Sequence, residues 1–379
     1  MNTVYLSKIT EYDENIIYDY FETYLSNLNL DIKPTDKIAI KLNALAPFPS
    51  DKGITTHPII LKALVRYLKQ YTNNIYVGDN PATKGMIQTM KVNGTYDVCV
   101  KEGLNIIDDK NIIKIIDESK SNRVSNDFDV TNDFIECDYF FNLAKLKTHG
   151  FAYYTGCVKN LFGLIYGLNK ASYHLKFNNI DIFSDCICDL YNTFNINCKA
   201  KKIIHIIDGI LGLEGEGPGA KGVSKKGNAL IMGLDPFSVD IVAMNVVSLD
   251  YKKSYIHVKG KSRNLGNCSL ENIEIIGNKI NDFDVKFEEP DTVKGIGAIK
   301  FIEKVNLKRF FFESPKFNNL CVKCKECIKI CPAKALSIKN DKVVVNKEKC
   351  IRCWCCQEVC PYKAIDKSKR PILGRIFFR

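Results

Sequence analysis

No run of about 18 consecutive apolar residues, the length of a membrane-spanning helix, occurs in the chain. The opening residues, MNTVYLSKITEYDEN, place a lysine and acidic side chains where a secretory leader needs an unbroken apolar stretch. There is no G-x4-G-K-[ST] loop, so ATP use through a P-loop has no support. The C-x3-C-x2-C run of radical S-adenosylmethionine enzymes is missing too, because Lys334 stands where a cysteine would have to follow Cys327 and Cys331. With 46% hydrophobic and 26% charged residues, the chain is neither a disordered polymer, a collagen-like repeat nor a small disulfide scaffold. The expectation is a cytoplasmic protein whose 16 cysteines stay reduced, so that a cluster of them holds metal rather than disulfides.

What is present is unevenly distributed. A length of 379 residues allows two or three domains. The formal net charge of +11 belongs to one end: residues 301–379 hold 19 Lys and Arg against 7 Asp and Glu, while the first 300 hold 35 against 36. Nine of the 16 cysteines also follow residue 320. The expected division is a ligand-binding domain over 1–300, a cysteine-rich module over 312–368 and a basic, apolar tail over 369–379. The remaining cysteines, Cys99, Cys137, Cys157, Cys186, Cys188, Cys198 and Cys268, show no ligand spacing and read as buried thiols.

Residues 321–332 read CVKCKECIKICP and residues 350–361 read CIRCWCCQEVCP, two copies of C-x2-C-x2-C-x3-C-P whose first cysteines lie 29 residues apart. Four thiolates at this spacing suit a 4Fe-4S cubane, the short run wrapping three irons and the fourth cysteine serving the other cluster. That assigns Cys321, Cys324, Cys327 and Cys360 to cluster one and Cys350, Cys353, Cys356 and Cys331 to cluster two. Over roughly residues 315–368, with Pro332, Pro361 and a strand pair about Asn340 and Asp341, the module resembles bacterial-type two-cluster ferredoxins. Two zinc sites are the alternative, although zinc knuckles usually pair two C-x2-C runs across a longer gap. Cys355 is extra; it aligns with Glu326 and reads as a thiol beside a cluster. Two such clusters carry single electrons, and at about −2 to −3 each they offset ~4 to 6 units of positive charge. The remainder is available to steer an acidic redox partner.

Along residues 1–290, strand-like runs at 37–42, 74–79, 137–144, 202–208 and 229–234 alternate with helix-like stretches near 58–70, 83–102, 157–168, 179–195 and 236–248. This predicts an α/β domain with a largely parallel sheet and flanking helices, joined to a small α+β ferredoxin-like domain. Ligands of open sheets bind outside the carboxyl ends of the strands. The residues there are polar: Lys41 and Asn43; Asp79 and Asn80; Lys145, Lys147 and His149; Asp208 with Glu214 and Glu216; and Asp235.

In NLAKLKTHGFAYYTGCVKNLFGLIYG, residues 142–167, Lys145, Lys147 and His149 fall at alternate positions and share one face if the chain stays extended. Thr155 and Gly156 then open a helix carrying Lys159, Asn160 and Gly163, whose free amides favour a carboxylate or phosphate. A basic loop satisfied by carbonyls and solvent is the alternative. His149 is a candidate general acid or metal ligand, with Lys147 beside it, and Cys157 sits where a helix start lowers a thiol pKa. In IIDGILGLEGEGPGAKG, residues 206–222, GEGPGA fits G-x-G-x-x-A literally, but Pro218 interrupts it and no helix follows. That leaves a glycine loop bearing Glu214 and Glu216, suited to a cation, a polar substrate or opposing lysines, or simply a surface turn.

The segments KLN (41–43), NLAKLKTH (142–149), TGCVKNLFG (155–163), DGILGLEGEGPG (208–219) and GLDPFSVD (233–240), ahead of a two-cluster module, resemble a family of anaerobe iron-sulfur proteins. Its large domain is catalogued only as a domain of unknown function. The resemblance implies an α/β domain fused to a ferredoxin and no agreed reaction; Cys157 departs from the small apolar residue the pattern leads one to expect. The leading expectation is a ferredoxin-linked oxidoreductase with two 4Fe-4S clusters, acting on an anionic small molecule or bound cofactor. Lys41, Asn43, Lys145, Lys159, Asn160, Asp208, Glu214 and Glu216 are the candidate binding residues, and Lys147 and His149 the candidate catalytic ones. The alternative is a non-catalytic electron-transfer or cofactor-maturation partner of another enzyme. Nucleic acid is disfavoured, for the basic residues are interleaved with cluster ligands and lack a stacking platform. The tail KSKRPILGRIFFR, residues 367–379, mixes Ile372, Ile376, Phe377 and Phe378 with five basic residues, which suits a peripheral membrane surface, a partner or a helix packed back on the module.

Overall fold

The computed structural model describes residues 2–83, 85–107, 110–167, 169–290 and 308–377. The expected boundary near residue 300, the ends of the helix-like stretches at Lys84 and Leu168, and Phe378 lie outside the described residues.

The strands are β1 (Asn2–Lys8), β2 (Ile38–Lys41), β3 (Ile75–Gly78), β4 (Asn105–Ile106), β5 (Ile112–Ile116), β6 (Asp127–Thr131), β7 (Tyr139–His149), β8 (Tyr153–Thr155), β9 (Lys202–Glu214), β10 (Val223–Gly233) and β11 (Ile273–Gly277). Among the described residues these form a nine-stranded sheet in the order β11-β1-β10-β9-β7-β2-β3-β4, with β8 on β7, and a separate β5-β6 ribbon. The pairs β9-β7-β2-β3-β4 and β1-β11 are parallel, as expected, but β10 runs antiparallel to both β9 and β1. The glycine loop explains this: only eight residues separate β9 from β10, too few for a crossover and enough for a hairpin. The sheet is therefore mixed and mostly parallel.

Large-domain helices are α1 (Glu14–Ser26), α2 (Pro58–Leu68), α3 (Met86–Asn93), α4 (Thr95–Lys101), α5 (Cys157–Asn160), α6 (Asn169–Lys176), α7 (Ile180–Asn197), α8 (Pro236–Val246) and α9 (Tyr255–Ser262). Their starts are legible locally. Asp13, Asn179 and Asp235 each accept backbone amides of the first turn, and Pro58 and Pro236 occupy positions where no donor is needed. The stretch expected at 83–102 is two helices because Gly94, at φ +85°, breaks it. Alternation along the strands sorts side chains to two cores: Tyr5, Ile206, Leu230 and Met232 face α1, α2 and α7, while Val4, Leu6, Ile207 and Ile231 face α8. All eleven residues of β7 are buried, including Asn142, Lys145, Lys147 and His149. Buried charges of this kind require partners or a ligand.

The C-terminal module contains α10 (Lys308–Phe311), α11 (Glu326–Lys329), α12 (Cys355–Glu358) and α13 (Ile372–Phe377), with β12 (Pro315–Phe317) paired to β15 (Ile365–Lys367) and β13 (Leu336–Lys339) to β14 (Lys342–Val345). Asn340 and Asp341 turn between β13 and β14 with positive φ, as a two-residue hairpin demands. The tail packs back: α13 lies on α10, and Gly374 sits against the Phe311 carbonyl, while Ile372, Leu373 and Ile376 remain exposed. No helix of the described residues is long and apolar enough to cross a membrane.

Candidate functional site

The carboxyl ends of β2, β3 and β7 open onto a cavity of about 90 Å³ lined by Asn43, Asp79, Asn80, Lys147, Lys159 and Asn160, with Lys170 and His174 from α6. Its far wall is the cysteine module: Ile330, Cys355, Glu358 and Val359. Ile330, Cys355 and Val359 pack with Cys353 against Ala82 and Ala171 of the large domain. The glycine loop is the seat of this docking. Gly219 lies so close to the Glu358 carbonyl oxygen that a Cβ would overlap it, Glu216 pairs with Lys367 at 2.7 Å, and Lys221 pairs with Asp366.

Electrostatics of the cavity are lopsided. Lys41 is already neutralised, donating to Asp79 Oδ1 at 2.8 Å, and is fully buried. Lys147 Nζ has only neutral acceptors, Asn43 Oδ1 at 2.7 Å and the Ile54 carbonyl at 2.8 Å; burial first, then Lys159 and Lys145, brings it down to about 7. Lys170 donates to the Asn80 carbonyl, and burial lowers it to about 8 against the pull of Asp79. Lys159 lies 5.8 Å from the centre of the Phe162 ring, and burial lowers it although Glu358 opposes the shift. Among the described residues it has no hydrogen-bond or ion-pair partner. Three lysines thus face one free carboxylate, that of Glu358. His174, stacked 4.5 Å from Phe183, has an Nδ1 without partner and is held neutral by burial, down to about 3. His149 Nδ1 accepts the amides of Phe151 and Ala152, so the proton resides on Nε2, which is unpartnered and 3.6 Å from Glu358 Oε1, beyond hydrogen-bond reach. Burial, then Lys159, holds His149 well below the usual imidazole range.

Asn43, Lys147, Lys159 and Asn160 are therefore brought together, with Lys41 and His149 just behind them. Asn43 Nδ2 donates to Asn160 Oδ1 at 2.8 Å, and Asn160 Nδ2 to Asn142 Oδ1 at 2.7 Å, so these amides form a fixed network. Four other candidates are engaged elsewhere. Lys145 donates to Asp208 at 2.8 Å and to Tyr12, both ions being fully buried, and Asp208 also receives Tyr12 and the His57 amide. A register shift in the pairing with β9, which puts Asp208 opposite Lys145 but Leu213 opposite Lys147, gives these neighbours different surroundings. Glu214 pairs with Lys225 at 2.9 Å and accepts the Glu288 amide, and Glu216 belongs to the domain contact.

The expected anion at the α5 start is already present as a side chain. Asp240 accepts the amides of Cys157 at 2.6 Å and Val158 at 3.1 Å, and its other neighbours are Tyr154 and His257. Gly156 is required there because a Cβ would strike Asp240 and Tyr154. In consequence Cys157 is not activated; burial, then Asp240, pushes its thiol well up. The helix is also only one turn long, giving way to a 3-10 turn before Ile165 bridges Val130.

Lys170, His174 and Glu358 escaped the sequence reading. The first two were marked by their i, i+4 spacing in NKASYHLK, which puts both on one helix face. Glu358 was marked by being one of few carboxylates in a basic module.

The cysteine quartets fit cubanes. Burial first, then the neighbouring Cys324, Cys360 and Cys321, pushes the Cys327 thiol up to about 12. A void is lined by Cys331, Cys350, Cys353 and Cys356 together. Thiols so unwilling to ionise become thiolates on binding a metal centre. Among the described residues no three metal-binding side chains converge on a single point; cubane ligands, each on a different iron, surround a volume instead. The loops also repeat their strain, with non-glycine left-handed residues at Lys323, Lys325 and Lys334 and again, 29 residues on, at Arg352, Trp354 and Lys363. Such turns aim successive amides at a common anionic centre. Cys355 donates to the Cys353 sulfur, holding Cys353 below and itself well above the ordinary thiol range.

Fold and site together define an α/β domain coupled to an iron-sulfur electron-transfer module. Residues 38–245 match the domain of unknown function DUF362, and residues 316–361 match a 4Fe-4S dicluster domain. The chain belongs to the DUF362 family and carries 4Fe-4S clusters in its C-terminal domain. It is 25% identical over 223 residues to the thylakoid-associated protein sll1697 of Synechocystis, a match covering 58% of this chain and 65% of that protein. Among solved structures it is similar to the lactate racemase apoprotein of Thermoanaerobacterium thermosaccharolyticum, with TM-score 0.35 and 17% identity over 55% of this chain and 51% of that one. A Thermotoga maritima protein gives TM-score 0.37 and 11% identity over 67% and 58%.

Proposed function

We propose that the protein is a ferredoxin-linked oxidoreductase holding two 4Fe-4S clusters, in which an anionic small molecule or bound cofactor occupies the cavity between the domains. The observation that carries this reading is the shared cavity wall: lysines of the large domain face a segment that runs from Cys353 to Val359 in the cysteine module. When bound, each cluster accepts and returns one electron at a time. Lys147, Lys159 and Lys170 bind and orient the anion, Asn43, itself held by Asn160, fixes Lys147, and His174 Nδ1 on the cavity wall and His149 Nε2 just behind it are unpaired polar atoms. Docking of Ile330 and Val359 excludes water from the side nearest Cys355.

The test uses sulfate as the probe. Lys147→Ala and Lys159→Ala should each weaken sulfate binding while leaving cluster absorbance intact; unchanged affinity overturns the site. For the reaction itself, the anion that purifies with the protein under anaerobic conditions is identified by mass spectrometry before and after reduction with dithionite. A reduced product supports the oxidoreductase reading, and an unaltered ligand, or none, assigns the chain to carrying electrons for another enzyme.

A further inference from the structure

The two cysteine loops are built to different ends, and the 29-residue repeat makes the comparison position by position. In the first copy Val322, Lys323, Cys324 and Lys325 are exposed; in the second their counterparts are Ile351, Arg352, Cys353 and Trp354, none of which is exposed. Trp354 is only 8% exposed, and Arg352 is turned inward, donating to the Phe312 and Cys350 carbonyls. Lys329, exposed on the first copy, becomes Glu358, which faces the cavity. Cys353 packs on the large domain, whereas Cys324 is the exposed cysteine of the first quartet.

Around Cys324 the surface combines apolar and basic groups. Leu320 and Val322 are 54% and 53% exposed, and Lys323, Lys325 and Lys329 stand beside them. Lys323 reaches Asp341 at 2.5 Å and Lys329 reaches Glu326 at 3.1 Å, and because both lysines are exposed these contacts are solvent-screened. An apolar centre with a charged rim, directly over a redox-centre ligand, is the anatomy of a transient protein contact.

We infer that the loop Leu320–Lys325, with Lys329, is the docking face for an acidic one-electron carrier protein, so that the Cys324 end of the module receives electrons and the Cys353 end passes them to the cavity. The sign of the partner follows from the lysines at the rim, which like-charged carriers would be repelled by. This rests on the reading that the module serves the cavity ligand, yet the two fail separately: Lys159→Ala is expected to lose sulfate and keep the carrier.

The test uses flavodoxin, an acidic flavin protein, with anaerobically purified full-length protein. Oxidised flavodoxin is titrated at low and high salt against wild type and Lys323→Glu/Lys325→Glu. Binding should weaken at least tenfold in the variant at low salt, and the difference should vanish at high salt. With flavodoxin hydroquinone as donor, one electron leaves the flavin, which becomes the semiquinone, and is taken up by the module; that rate should fall in parallel. Photoreduced deazaflavin, small and uncharged, should reduce both proteins equally, showing that the clusters are intact. Lys101→Glu/Lys226→Glu, the same charge change on exposed sites of the large domain, should alter binding less than twofold. Equal affinity of wild type and Lys323→Glu/Lys325→Glu, or equal losses in the two double variants, overturns the docking face.

Discussion

Anion binding in the cavity should take up protons, and the amount follows from two lysines. In the free protein burial, reinforced by Lys159 and Lys145, holds Lys147 at about 7, while burial against the pull of Asp79 holds Lys170 at about 8. At about pH 7.5 roughly a quarter of Lys147 and three quarters of Lys170 are therefore charged. An anion placed against them favours the charged forms; a rise of one unit in each, worth about 1.4 kcal/mol per site, makes the fractions roughly three quarters and nearly one. The uptake is then ~0.7 proton per anion. The sign is fixed: both groups are depressed in the free protein and raised in the complex, so affinity is greatest below about pH 6.5 and declines as pH rises through 7 to 9. Sulfate is the suitable probe because it does not titrate there. Calorimetry in two buffers of different ionisation enthalpy counts the protons. Lys147→Met should remove most of the uptake and, with a charged hydrogen bond worth about 1.5 to 3 kcal/mol, weaken sulfate about ten- to hundredfold. A sulfate affinity flat between pH 6 and 9, or binding without proton uptake, refutes the assignment of these lysines.

Three further outcomes are expected. Buried His174 and His205, each held at about 3 by burial, must charge on unfolding, so stability is complete above about pH 6.5 and falls below it; at pH 5 each costs about 2 kcal/mol, and together they should lower the melting temperature by roughly 10 °C, whereas a midpoint constant from pH 7 to 5 contradicts this. Asp240→Ala leaves the Cys157 and Val158 amides and His257 without their acceptor and should cost about 3 kcal/mol in denaturant unfolding, while a loss within 0.5 kcal/mol would show that the carboxylate does not anchor α5. Gly219→Val forces a side chain against the Glu358 carbonyl and should weaken sulfate at least tenfold with iron and sulfide content unchanged; unaltered sulfate binding would mean the cysteine module is not part of the cavity.

Local patterns carried most of the fold into view. Mainly apolar runs such as IAIK mark strands buried on both faces, and alternation in KIIHIID and ALIMGL separates the two cores. The direction of β10 was not legible, because the runs expected as strands, 202–208 and 229–234, leave 20 residues between them, enough for a crossover, whereas β9 and β10 extend to within eight residues of each other. Strands β1 and β11 are recruited by pairing across more than 220 residues, which leaves no local signal. At the site, the alternation Lys145, Lys147, His149 held over an unbroken β7, yet only the structure shows that Asp208 claims Lys145 while Lys147 is left facing the cavity. The Asp240 anchor lies 83 residues from the amide it satisfies, so the free helix start inferred from TGCVKN was a reasonable inference from local sequence and wrong in three dimensions. The cluster-binding module was legible in the sequence, since two C-x2-C-x2-C-x3-C-P runs are a local pattern.

The central claim, an anion held beside one cluster and remote from the other, is tested most directly by redox titration of the clusters with and without saturating sulfate, followed by electron paramagnetic resonance. Negative charge next to a cluster disfavours adding an electron, and a tenfold weaker sulfate affinity after reduction corresponds to ~59 mV for a one-electron centre. One cluster should shift by about 30 to 60 mV to more negative potential while the other moves by less than a third as much, and Lys159→Ala should abolish the difference. Two clusters that keep their potentials in sulfate, or that shift equally, would contradict the account.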